Sequence, residues 1–260
     1  MRLAIAAGDA MPWELLPLLP LGLLAGLLSG LLGIGGGLVF SPLLLWIGLP
    51  PHQALATSTL AIVPTTMAGS LTHWRSGQVP RQAALAIGAG AACGGGLFSR
   101  VGHSLEGWQL LALQALMYGL LALVIAPKQD LGESRSSVPV PGLIGVGLVA
   151  GLSSGLLGVG GGLVMVPLMM RGLRLGVYLA IRLSTMAVFA SSLVAAFTFW
   201  GDGRAQLLIG FVLGATAASA AQWSAAHLQK VSEQRLVGLI RLLCILLAVD
   251  VGRRALLLWL

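Results

Sequence analysis

Charge is what this sequence has least of. Acidic and basic residues together make up 9% of its 260 residues, where a soluble domain carries about 25%. That is too few to coat a water-facing surface, which excludes a soluble enzyme, a nucleic-acid binder and a disordered segment. Between Leu15 and Trp74 there is no Asp, Glu, Lys or Arg at all, a run long enough for several membrane passes. Aromatics are scarce at 6%, and the Leu-, Ala- and Gly-rich segments lack the ten-residue alternation of an outer-membrane barrel. Cysteine is nearly absent. Cys93 and Cys244 lie in apolar runs with no partner at metal spacing, so they read as soft packing residues and imply no metal or cofactor. The N-terminus lacks the pattern of a cleavable secretory signal. The longest polar stretch, Lys128 to Pro139, is only loop-sized.

What the chain has is a series of apolar segments cut by turn-forming or charged clusters. These are Pro50-Pro51-His52, Arg75 to Arg81, Arg100 to Gly107, Pro127 to Pro141, Arg171 to Gly176, Gly201 to Arg204 and Gln229 to Arg235. Segments of about 18 to 25 residues lie between them, each enough for one crossing of a roughly 30 Å hydrocarbon core. The sequence therefore predicts an all-α polytopic membrane protein. Its net charge of +7 marks loops on the cytoplasmic side rather than a nucleic-acid surface.

The chain is also an internal duplication. Gly26 to Pro42 (GLLSGLLGIGGGLVFSP) returns half a chain later as Gly151 to Pro167 (GLSSGLLGVGGGLVMVP). Ser58-Thr59 corresponds to Ser184-Thr185, Trp74 to Trp200 and Gly77 to Gly203. This divides the chain into a first transmembrane repeat (1–127), a linker loop (128–139) and a second repeat (140–260). Duplication on this scale points to a transporter fold with a site at the repeat interface.

Pro17 to Gly33 reads as a full helix, but Leu38 to Gly48 spans only roughly 17 Å at helical rise. The pair is expected to form a hairpin whose Gly35-Gly36-Gly37 tip stays within the membrane. Three crossings follow, near Ala54–Trp74, Gln82–Ser99 and Trp108–Ala126. An odd number of crossings per half makes the second repeat inverted. Under that topology one side collects Arg75, Arg81, Lys128, Arg135, Arg171, Arg174, Lys230 and Arg235. The other collects Arg2, Arg100, Arg204, Arg253 and Arg254. By the positive-inside rule the first side is cytoplasmic and both termini are outside.

The glycines fall into two kinds. Gly22, Gly26 and Gly30, like Gly147, Gly151 and Gly155, recur every four residues and predict close helix packing. The runs Gly35-Gly36-Gly37 and Gly160-Gly161-Gly162 instead break a helix, since each costs about 1 kcal/mol relative to Ala in a helix interior. A broken backbone at membrane depth is tolerated beside protein or a watery cavity. Its free N–H groups at the start of a half-helix make an anion site. Thr57, Ser58, Thr59, Ser184 and Thr185 follow the two hairpins, where their hydroxyls either bond back to the preceding helical turn or donate to a substrate.

His52 and Gln53 read as interfacial, and His73-Trp74 as the end of a helix in the interfacial belt. Arg182 is the unusual cation, one to two turns into a crossing. It either snorkels beside Arg171 and Arg174 or joins the Gly36 and Gly37 amides around an anion. No Asp or Glu is expected in mid-crossing, which argues against proton coupling through a buried carboxylate. Gly151-Leu-Ser-Ser-Gly155 fits the Gly-x-Ser-x-Gly pattern of hydrolases, but a glycine-rich membrane helix is not the strand–turn–helix elbow that pattern needs.

The paired glycine signature, the Ser-Thr segment after each hairpin and the Trp-x-x-Gly turns resemble the sulfite exporter TauE/SafE family of membrane proteins over essentially the whole chain. That resemblance implies movement of sulfite, sulfonates or related sulfur-containing anions across the bacterial cytoplasmic (inner) membrane. The expected function is a carrier or facilitator for a small anion, not an enzyme, embedded in the lipid bilayer and compatible with a homo-oligomer. A membrane scaffold, in which the glycines only pack helices, and an anion channel are the alternatives.

Overall fold

The computed structural model describes residues 16–102, 104–124, 139–203 and 205–259. Ten α-helices run through them, with no β-strand among the described residues. They are α1 (Leu18–Leu32), α2 (Gly37–Trp46), α3 (Pro51–Arg75), α4 (Arg81–Val101), α5 (Gly107–Val124), α6 (Val140–Leu157), α7 (Gly162–Gly172), α8 (Val177–Gly201), α9 (Leu207–Ala226) and α10 (Glu233–Trp259), with a 3₁₀ turn at Leu228–Lys230. Five of these, α3, α4, α6, α8 and α9, are long and apolar enough to cross a membrane. Large apolar side chains such as Leu85, Leu123, Phe211 and Trp223 point outward, as a lipid-facing surface requires. The linker at 128–138, with Arg2, Lys128, Arg135 and Arg204, lies outside the described residues.

The expected hairpins are present. Gly33 ends α1 in the left-handed region (φ +68°), its N–H bonded to the Ser29 carbonyl at 2.9 Å. Gly158 ends α6 in the same way, with φ +61° and a 3.2 Å bond to Ser154. Four residues after each of these glycines the chain starts a short helix, α2 with 10 residues and α7 with 11. Each is about 15–17 Å long, too short to cross. Pro42 and Pro167 sit at equivalent places inside them.

Helix directions follow from the contacts. Gly22, Gly26 and Gly30 of α1 meet Thr216, Ala217 and Ser224 of α9 in rising order, so these two helices are parallel. Leu60 and Pro64 of α3 likewise meet Gly210 and Gly214 of α9. In the same sense α4 runs parallel to α6 (Gly90 on Ile144, Gly94 on Leu148) and to α8 (Gly88 on Ala190, Gly96 on Val194). Between the two sets, α3 and α8 are antiparallel: Ser70 donates to the Thr185 carbonyl at 3.3 Å, while Ala56 packs with Ala195 and Phe199. The first helix of each half thus packs on the fourth helix of the other, and α3 and α8 cross at the centre.

The four-residue glycine ladders serve these contacts. A Cβ on Gly26 would run into the Ala217 carbonyl, and one on Gly151 would meet Gly94 and Gly95 backbone atoms at 2.6 Å. Only glycine lets backbones approach this closely. Asp250 lies in the C-terminal half of α10. Its carboxylate accepts from Arg254 (3.1 Å) and from the Trp46 indole N–H (2.9 Å), and pairs with Arg253 (3.5 Å).

Candidate substrate site

The two hairpin tips meet inside the protein. Every residue from Gly33 to Gly37 and from Gly158 to Gly162 is buried. A Cβ on Gly37 would stand 2.5 Å from the Val159 carbonyl, and one on Gly160 would stand 3.1 Å from the Ile34 carbonyl. Ile62 and Thr66 of α3 and Val188 of α8 close around Gly35. The first turns of α2 and α7 therefore face each other at the crossing of α3 and α8.

Helix starts leave amides without intrahelical partners. Among the described residues, the N–H groups of Gly36, Gly37, Leu38, Gly161 and Leu163 donate to no backbone carbonyl, whereas Gly162 donates to Gly160 at 2.8 Å. Each helix start also carries the positive end of a macrodipole, equivalent to about half a charge. Two such ends converging in a low-dielectric interior favour an anion between them.

The hydroxyls divide by role. Ser58 donates to the Gly158 carbonyl at 3.0 Å, and Ser184 to the Gly33 carbonyl at 2.8 Å. These bonds run reciprocally from the long helix of each half to the tip of the other. Thr59 and Thr185 donate to the preceding turn of their own helices, to Leu55 and Ile181, both at 2.9 Å. Thr57 accepts from the Gln206 backbone N–H at 2.9 Å. In this conformation Ser58 and Ser184 therefore hold the tips, and the two threonines bond within their helices. Ser153, from the Gly-x-Ser-x-Gly stretch, bonds back to Ala150 at 2.8 Å inside α6.

Arg182 is buried, 9% exposed, and makes no hydrogen bond or ion pair among the described residues. It lies between Ile181, whose backbone abuts Gly33, and Ser184, and, one turn back from the Thr185 that meets Gly69 and Ser70, it comes level with His73 in the antiparallel α3/α8 pair. His73, expected in the interfacial belt, turns inward instead. It is 2% exposed while its neighbour Trp74 is 48% exposed, and its Nε2 is buried without a partner. Its phase was readable, because Ser58, Ile62, Thr66, Gly69 and His73 recur at helical spacing on one face of α3. Gln53 also holds a buried Oε1 without a partner.

A helical membrane fold with paired broken hairpins at its centre defines a transporter-like class of protein. The sequence profile described as "Sulfite exporter TauE/SafE" matches residues 18–251, and the chain belongs to that family of membrane transporters. It is 30% identical over 186 residues to a "Probable membrane transporter protein" of Xylella fastidiosa (strain 9a5c), covering 68% of each chain. It is 26% identical over 257 residues to "Probable membrane transporter protein YunE" of Bacillus subtilis (strain 168), covering 88% of this chain and 94% of that one. A short stretch of 47 residues is 53% identical to "Sulfite exporter TauE/SafE family protein 6" of Arabidopsis thaliana, 18% of this chain and 11% of the relative. No solved structure matches.

Proposed function

We infer that this chain is a secondary carrier or facilitator for a small anion, with sulfite, a sulfonate or a related sulfur oxyanion as the substrate class, in the bacterial cytoplasmic membrane. The observation that carries this reading is the meeting of two half-helix starts in the protein interior, where all the first amides but that of Gly162 lack a backbone acceptor among the described residues. The substrate class rests on the family's name and on the fit of a compact oxyanion to converging N–H donors. In this reading Gly35–Gly37 and Gly160–Gly162 form the binding surface. Ser58 and Ser184 position it, while Thr57, Thr59 and Thr185 brace the helices that carry them.

The repeats are read as inverted, residues 1–127 against 140–260 with the 128–139 linker in the cytoplasm and both termini outside. The antiparallel passage of the equivalent helices α3 and α8 supports this, as does the arginine bias. Alternating access then amounts to the two hairpins being exposed in turn around a fixed centre.

Proteoliposomes test the reading with sulfite, thiosulfate, methanesulfonate and acetate as probes. Saturable uptake of the sulfur oxyanions is expected. Flux that rises linearly with voltage identifies a channel, and no flux identifies a scaffold. Gly36→Ala is the informative variant. Gly36 has φ +79°, and its Cβ would meet only the side-chain ring of Phe40, nearest at 2.8 Å, and no backbone. The variant is expected to fold with its open tip disturbed. At Gly161 a Cβ would strike the Ala150 backbone carbonyl, so failure there reports packing.

A further inference from the structure

The two mouths of the α3/α8 seam occupy equivalent positions in the two halves, yet their chemistry differs. At the end where α8 begins, Gly69 and Ser70 of α3 lie against Thr185 of α8, so in this antiparallel pair His73, one turn on, comes level with Arg182, one turn back. At the opposite end the equivalent residues are Ala56 and Phe199, which pack with Ala195 in a small apolar cluster. The correspondence is close in detail. Arg182 lies between Ile181 and Ser184, which touch Gly33, and Ala56 lies between Leu55 and Ser58, which touch Gly158. One end therefore holds a largely buried arginine whose guanidinium has no acceptor among the described residues and a fully buried imidazole nitrogen with no partner. The other is closed by methyl groups and a benzene ring.

A buried cation without a counter-charge is costly, and a chain selected only for packing would replace it with an apolar residue. The relatively shallow place of Arg182, five residues into α8, puts it outside the hairpin tips rather than between them.

We propose that Arg182 and His73 form a second anion-binding site, a vestibule on one side only, which captures the substrate and passes it to the Gly33–Gly37 tip. This rests on the reading of the tips as the transport site. The planar guanidinium fork matches two oxygens of a sulfite or sulfonate face, and His73 Nε2 supplies a further polar contact. The apolar mouth has no such capture site, so the carrier takes up anion unequally from its two sides.

The test uses purified full-length protein, with sulfite and methanesulfonate as probes, in binding titrations and in proteoliposome flux. Arg182→Met and His73→Phe, the second copying Phe199, are compared with wild type. Anion binding is expected to weaken about 10- to 100-fold in Arg182→Met, with KM rising by a similar factor and the maximal rate changing far less. Melting of the anion-free Arg182→Met protein is expected to equal or exceed that of wild type, which a structural arginine would not allow. Wild-type binding and KM in both variants overturn the vestibule and leave transport standing. Arg182-dependent binding without wild-type flux keeps the vestibule and removes the carrier reading. Absence of binding to wild type overturns the vestibule outright.

Discussion

Replacing Ser184 with alanine removes one hydroxyl and no more than a few cubic ångströms, yet it acts on the part of the molecule where the two halves meet. The Ser184 hydroxyl donates at 2.8 Å to the Gly33 carbonyl and lies 3.4 Å from that of Gly162. Both tips are buried, so no water replaces the lost donor. Leaving a buried carbonyl unsatisfied costs about 1–3 kcal/mol. For a chain of this size each kcal/mol lowers the melting temperature by about 2–4 °C, so Ser184→Ala should melt roughly 2–12 °C below wild type in detergent. Ser58→Ala, which frees the Gly158 carbonyl, should behave alike. Because the tips touch, the double variant should depart from additivity by about 0.5 kcal/mol or more. Transport at saturating substrate should fall further than the folded fraction does, since the amides lose their fixed aim. The assay is thermal unfolding followed by scintillation or fluorescence, paired with flux per folded molecule. Melting within a degree of wild type, with normal flux, would refute the view that these serines set the tips.

Gly151→Leu should abolish stable folding, whereas Gly145→Leu, exposed and with nothing near its Cβ position, should melt at or above wild type because it removes about 1 kcal/mol of helix penalty; equal melting of the two would dismiss the ladder. Cysteines placed at the equivalent turn positions Ser76 and Asp202, in a background free of Cys93 and Cys244, should label from opposite sides of intact cells, the first from the cytoplasm; labelling from one side alone would end the inverted arrangement. Asp250→Ala should lower stability by roughly 1–2 kcal/mol by releasing Arg254 and the Trp46 indole, and unchanged urea or thermal midpoints would show those contacts to be idle.

The hairpins were legible because their evidence is local. Length limits α2 and α7, and three consecutive glycines forbid a continuous helix whatever surrounds them. The ladders at Gly22–Gly30 and Gly147–Gly155 were legible for the same reason, although which helix each would meet was not. That α1 seeks α9 and α6 seeks α4 is a matter of tertiary shape that no window of sequence contains. The hydroxyls show the limit most clearly. Ser58 and Thr59 are adjacent and chemically alike, yet one bonds across to the other half and the other bonds within its own helix. Only their angular position relative to a neighbour decides this. His73 was misread for a different reason: Trp74 and Arg75 beside it are interfacial, and proximity in sequence outweighed the helical phase that turns its ring inward.

The swapped pairing of first and fourth helices also bears on how the protein is made. During synthesis α1 enters the bilayer long before α9 exists, and until then its glycine face has only lipid or other segments against it. The same holds in reverse for α4, which must wait for α6. A polypeptide released after the first half would keep two unmatched small-residue faces and a hairpin tip lacking the serine that holds it. Such a fragment is expected to be cleared by membrane proteases. The two halves supplied as separate chains in one cell, by contrast, should find each other and rebuild the carrier, because each contains the surface that the other lacks.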